Sequence, residues 1–114
     1  MWYIQFFSVF ITHLYVKSRQ SRNCFSPVFV SIICIGNISR EEVFEKYCNS
    51  ILVFPSYIET VGLPLLEAKK CNTPIIASDT AFSHELLDSY DNVNFFDPFD
   101  VNDLKNQMKK FILK

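Results

Sequence analysis

Two glycines in 114 residues is a shortage, because ordinary usage is ~7%. A site built on a glycine-rich phosphate loop is excluded, and with it the dinucleotide-binding fingerprint. A basic excess is also missing. Eleven Lys and Arg stand against twelve Asp and Glu, a net charge of -1, which argues against a dedicated nucleic-acid binder. The four cysteines at 24, 34, 48 and 71 form no C-x2-C pair, and His13 and His84 complete no zinc pattern. Neither a metal site nor a disulfide framework is expected.

Long apolar runs are absent as well. "MWYIQFFSVFITHLYVK" carries Gln5, Ser8, Thr12 and His13 and meets Lys17, whereas a spanning helix needs ~20 predominantly apolar residues. It reads as a buried element of a globular fold, with an in-plane membrane anchor as the alternative. Its period is too mixed to choose strand or helix. Residues 1–38 hold Lys17, Arg19 and Arg22 and no acid, while residues 39–114 hold eight basic and twelve acidic residues. The basic trio reads as a solvated turn, or as a contact with a membrane surface or a phosphate.

What is present is aromatic and aliphatic. Twelve Phe and five Tyr exclude disorder, and the length suits one domain. From residue 28 the chain alternates strand-like and helix-like segments. "VFVSIICI" (28–35) is a strand ending at Gly36-Asn37. Ser39 with Glu42 forms a capping box, opening a helix whose stripe is Val43, Phe44 and Tyr47. "ILVFPS" (51–56) is an unbroken apolar run, as expected of a parallel strand covered on both faces. Pro64 fits the first turn of the next helix, which ends near Lys70 with Asn72 in the left-handed position.

"PIIAS" (74–78) is a further strand, followed by a short helix near His84–Leu87, and "NVNFF" (92–96) is the last. The closing helix, Val101 to Leu113, shows Val101, Leu104, Met108, Phe111 and Ile112 on one stripe. Acids at its start and lysines at its end suit the helix dipole. Cys34 and Cys48 are expected to be buried. The series predicts an α/β fold with an open parallel sheet.

Ligands of such sheets bind past the carboxyl ends of the strands. The polar residues there are Ser56, Glu59, Thr60 and the loop around Gly62. Free amides from Gly62 to Leu65 would hold a phosphate or oxyanion, with Pro64 removing one donor. Carboxylates beside an anion should serve neutral hydroxyls: Glu67 two vicinal ones, Glu59 another. Glu59 is also readable as a plain loop acid, Glu67 as a solvated helix residue, and Ser56 and Ser78 as caps.

The stretch "FPSYIETVGLPLLEAKKCNTPIIASD" (54–79) resembles the retaining, nucleotide-sugar-dependent glycosyltransferases of family 4, whose signature is two glutamates separated by seven residues. Here it is Glu59-"TVGLPLL"-Glu67, with Pro55-Ser56, Gly62-Leu63-Pro64 and Glu67-Ala68 also matching. "IGNISREEVFEKY" (35–47) and "NFFDPFD" (94–100) agree with the family's flanking elements. Asn72 replaces a frequent glycine and tolerates the same backbone.

The resemblance implies the Rossmann-like, donor-binding C-terminal half of the GT-B fold, in incomplete form: residues 33–114 as the partial nucleotide-sugar-binding domain, 1–32 as an unassigned apolar segment. It implies a glycosyl unit passed from a UDP- or GDP-linked sugar to an acceptor hydroxyl, with retention and no metal. Glu67 would bind the ribose hydroxyls, and Glu59 would act catalytically beside the transferred sugar. Ser56, Thr60, Val61, Gly62 and Leu63 would complete the donor site. The acceptor would be a carbohydrate or lipid-linked sugar, and the location cytoplasmic or peripheral at the inner membrane face. A missing N-terminal domain or an oligomeric partner is expected to complete the enzyme.

In the family's strand order, 3-2-1-4-5-6, two strands separate those at 28–35 and 51–56, and residues 2–11 are the candidate for one of them. Activity of this chain alone stays open. The alternatives are a non-catalytic nucleotide-sugar-binding module and a structural α/β domain completed by another chain.

Overall fold

The computed structural model describes residues 3–7, 13–18, 30–34 and 38–113, with side chains from 38 onward except Ile112. Six strands form one sheet. They are β1 (Tyr3–Phe7), β2 (His13–Ser18), β3 (Val30–Cys34), β4 (Ser50–Phe54), β5 (Ile75–Ser78) and β6 (Val93–Phe96). The helices are α1 (Arg40–Cys48), α2 (Leu63–Lys70), α3 (Ala81–Leu86) and α4 (Val101–Ile112). From β3 onward strands and helices alternate, as the sequence predicts.

The sheet order is β3-β2-β1-β4-β5-β6. β1, β4, β5 and β6 are mutually parallel, with Tyr3 beside Ser50, Leu52 beside Ile75 and Ile75 beside Val93. The apolar N-terminal segment therefore contributes a strand that lies directly against β4. A second strand follows it: β2 fills the other position between β3 and β4, running antiparallel to both of its neighbours. Five strands point one way and one is reversed. Arg19 and Arg22 of the basic trio, and the expected strand end at Gly36-Asn37, lie outside the described residues.

β4 shows why an unbroken apolar run was needed. All five of its residues are buried. Leu52 and Phe54 join Tyr47, Leu65, Ala68, Ile75, Ala77 and Leu87 on the face covered by α1, α2 and α3. Ile51 and Val53 join Ile76 and Phe96 on the other face, under Leu104, Met108 and Phe111 of α4. Burying one such side chain is worth about 1.5–3 kcal/mol, so this strand anchors both layers.

The helix ends follow their chemistry. Ser39 Oγ accepts from the Glu42 amide at 3.2 Å, while the Ser39 amide donates to Glu42 Oε2 at 2.9 Å, which is the expected capping box. α2 stops in a Schellman motif: Asn72 takes φ 55°, its amide donates to Lys69 O, and the Thr73 amide donates to Ala68 O. Thr73 then donates its hydroxyl to Tyr47 O at 2.6 Å in the core. The Thr73 carbonyl accepts from the Tyr90 hydroxyl, also at 2.6 Å.

Three expectations are corrected. Cys48 is exposed, because the last residue of α1 turns away from the sheet; the side chain of Cys34 lies outside the described set. α3 begins at Ala81, earlier than expected, since Thr80 caps it by accepting from the Ser83 amide. Val101 is 81% exposed: the stripe of α4 is real from Leu104, but the first turn overhangs the sheet edge. The side chain of Ile112 is outside the described residues.

Candidate functional site

The carboxyl ends of β4, β5 and β6 share one edge of the sheet, and the loop of residues 55–62 leaves β4 there. Its shape comes from local bonds. Ser56 Oγ donates to Ile58 O at 3.0 Å, so this serine folds the loop. Glu59 Oε1 accepts from the Thr60 amide at 3.0 Å. Gly62 closes the loop as the residue before α2, at φ 65°, a region that L side chains enter only at a cost. A Cβ there would lie 2.5 Å from Leu86 Cδ1 and 3.8 Å from Glu59 Cγ. The glycine thus lets α2, α3 and Glu59 approach one another.

The amides expected to be free are only partly so. The Leu65 amide donates to Gly62 O at 3.0 Å, as does that of Leu66 at 3.3 Å. Thr60 is held by Glu59. Among the described residues, the Gly62 and Leu63 amides are the two of the predicted set without a protein acceptor. Val61 and Leu63 project outward, at 55% and 58% exposure.

The two glutamates face different surroundings. Glu59 lines an open cleft of about 640 Å³ with Tyr57, Ile58, Asp79, Thr80, Ala81 and Phe82. Glu67 does not reach that cleft. It points from α2 toward α1, where its Oε1 accepts from Arg40 Nη2 at 3.2 Å. The buried side chain of Tyr47 lies near that carboxylate. Burial first, and then the negative charge of Glu67, push the Tyr47 pKa well above its ordinary value, so this phenol stays a proton donor. The carboxylate is paired with one cation and its side chain is 19% exposed, an arrangement that leaves it able to accept from hydroxyl groups.

The family described as glycosyl transferases, group 1, has a model that matches residues 30–114. The chain belongs to this family. The match covers β3 through α4, the region in which strands and helices alternate and in which both glutamates lie. Neither a curated protein nor a solved structure matches the chain. The fold is that of an open, Rossmann-like α/β half-domain, as in GT-B glycosyltransferases.

Sequence reasoning missed several side chains of this glycosyltransferase domain. Arg40 carries no site signal of its own in the sequence, although Phe44 one turn later gives its guanidinium a ring to lie over, at 5.2 Å. Asp79 and His84 form a pair at 2.6 Å, and His84 stacks on Phe95 at 4.0 Å. Their positions just past β5 and within α3 were the available signal. Among the described residues no cluster of His, Cys, Asp or Glu converges to hold a metal. No described helix is long and apolar enough to cross a membrane.

Proposed function

We propose that residues 33–114 bind the donor of a retaining glycosyl transfer, in which a UDP- or GDP-linked sugar passes its glycosyl unit to an acceptor hydroxyl. The observation that carries this reading is the placement of the Glu59-x7-Glu67 pair. One carboxylate stands in the loop after β4, and the other stands on α2, held by Arg40. Gly62 lies between them with its amide turned to no protein acceptor.

Glu67 takes the vicinal hydroxyls of the ribose, because a carboxylate offers two acceptor oxygens to two neutral donors. The diphosphate lies toward the amides of Gly62 and Leu63, at the positive end of α2. The transferred sugar then lies toward Glu59, which releases the Thr60 amide as the sugar arrives. Ser56, Thr60 and Val61 shape this side of the loop. Departure of the diphosphate is assisted by amide donors and by charge, electrostatic stabilisation of the usual kind. The acceptor is a carbohydrate or lipid-linked hydroxyl, and a further domain or chain completes its side of the cleft.

The test is nucleotide binding by Glu67→Ala, measured by titration with UDP and with GDP. The expected result is saturable binding by the wild-type chain and a loss of at least about tenfold in the variant, since hydrogen bonds to charged groups are worth ~1.5–3 kcal/mol. Equal affinity in the two proteins would remove Glu67 from the site.

A further inference from the structure

The ends of α1 and α2 bring two cysteines together. Cys48 is the last residue of α1, and Cys71 is the first residue after α2. Tyr47, just before Cys48, accepts from the Thr73 hydroxyl at 2.6 Å, so the chain at 47–48 is pinned to the chain at 71–73. Cys71 also packs against the core cluster that contains Tyr47. Both cysteines are free thiols, and the Cys48 thiol lies near that of Cys71. No cysteine motif announces the pair, because the two positions belong to successive helices with β4 between them.

The two thiols are not equivalent. Cys48 is exposed at a helix end, whereas Cys71 is partly buried. Burial first, then the neighbouring Cys48 thiol, and then Glu67 raise the Cys71 pKa above its ordinary 9.0. Exposure and thiolate character decide which sulfur meets an oxidant first. Cys48 is therefore the attacking sulfur, and Cys71, shielded beside it, is the one that resolves the product.

We infer that Cys48 and Cys71 form an oxidation site, at which hydrogen peroxide closes a disulfide between the ends of α1 and α2. The Cys48 thiolate attacks one peroxide oxygen. An S–O bond forms, the O–O bond breaks, and the departing hydroxide takes up the proton that the thiol released, giving water. The Cys71 sulfur then attacks the sulfur of the Cys48 sulfenic acid. The S–S bond forms, the S–O bond breaks, and the second hydroxide leaves as water with the Cys71 proton. The two sulfurs are oxidised, and the two peroxide oxygens are reduced.

The bridge encloses β4, the loop of residues 55–62 and α2 in one covalent ring, and Glu59, Gly62 and Glu67 all lie within it. Such a closure restricts the unfolded chain and so stabilises the folded one. The Cys71 amide donates to Glu67 O at 3.1 Å, so the bridge also ties the turn of α2 that carries Glu67 to the end of α1. The clamp and its test are independent of any ligand of that segment.

The experiment treats the full chain, at low concentration, with one equivalent of hydrogen peroxide. Remaining thiols are alkylated, and the chain is digested with trypsin without reductant for mass mapping. Cleavage after Lys46, Lys69 and Lys70 places the two cysteines on separate peptides. The expected main product is those two peptides joined, lighter by two hydrogens than their sum and separated by dithiothreitol. Oxidation should raise the thermal midpoint of the chain by about 5–15 °C, and dithiothreitol should reverse the rise. Cys48→Ser, a change at an exposed position, should abolish both the joined peptides and the rise. Cys48 linked mainly to Cys24, to Cys34 or to a second chain overturns the proposal, as does Cys48 oxidised to a sulfinic acid beside an alkylated Cys71. A joined pair with an unchanged midpoint overturns the clamp, and so does a rise that persists in Cys48→Ser.

Discussion

Arg40 at the first turn of α1 donates to Glu67 on α2 across 3.2 Å, with the guanidinium 74% exposed and the carboxylate 19% exposed. The pair joins two helices at the acid that the donor reading assigns to ribose. Exposed ion pairs are worth ~0–1 kcal/mol, so Arg40→Ala should lower stability by less than about 1 kcal/mol in urea denaturation, and by less still at high salt. UDP affinity should fall by about threefold, because an unrestrained carboxylate must be ordered on binding. Wild-type affinity in the variant would show that Arg40 does not orient Glu67 for binding.

Gly62→Ala separates backbone strain from crowding. The left-handed conformation costs an alanine about 1–2 kcal/mol, and its Cβ would meet Leu86 Cδ1 at 2.5 Å. The substitution should destabilise the chain by about 1–3 kcal/mol. Pairing it with Leu86→Ala should recover the crowding part and leave the strain. A double-mutant cycle by chemical denaturation measures the difference.

Thr73 offers a core test far from the loop. Its hydroxyl donates to Tyr47 O at 2.6 Å with 1% of the residue exposed. Thr73→Val keeps the shape and leaves that carbonyl without its donor, at an expected cost of about 1–3 kcal/mol. Thermal unfolding should report the loss, and nucleotide affinity should change little.

Two carboxylates at helix starts set an acid limit. The Glu42 pKa is lowered below its ordinary 4.5 by the Ser39 amide and then the Ser39 hydroxyl. That of Asp103 is lowered below 3.8 by the Asp97 amide and then by Gln107. A carboxyl with a depressed folded-state pKa binds its proton more readily when unfolded. The stability it contributes is therefore complete above the ordinary value and is lost as pH falls through the folded one. Stability should hold from neutral pH to near 4.5 and then decline. Glu42→Gln should flatten the upper part of that decline, as measured by denaturation across an acid pH series.

Much of the α/β half was legible because its signals are local. The Ser39–Glu42 box, the left-handed Asn72 and the apolar run of β4 each depend on a few neighbouring residues. β1 and β2 were not legible in the same way. "YIQFF" and "HLYVKS" have no clean period, and what makes β1 a strand is β4 beside it, tens of residues away. Val101 followed the helical period, but period defines a face and does not say how far the sheet beneath extends. The spacing of Glu59 and Glu67 was visible, whereas the partner of Glu67 was not: Arg40 comes to it from another helix, through packing alone.

The reversed strand has a bearing on how the molecule assembles. β1, β2 and β3 pair with neighbours close in sequence, so that half closes short loops. β4, β5 and β6 join through the intervening helices. The seam between the halves is the single parallel pairing of β1 with β4, which brings Tyr3 beside Ser50 and encloses the longest stretch of chain in the sheet. Closing it last is the slow step expected of a distant pairing. Until then the β1 edge of β4 is an open hydrogen-bonding rail, and that interval in the chain's life is when it is most prone to join another copy of itself.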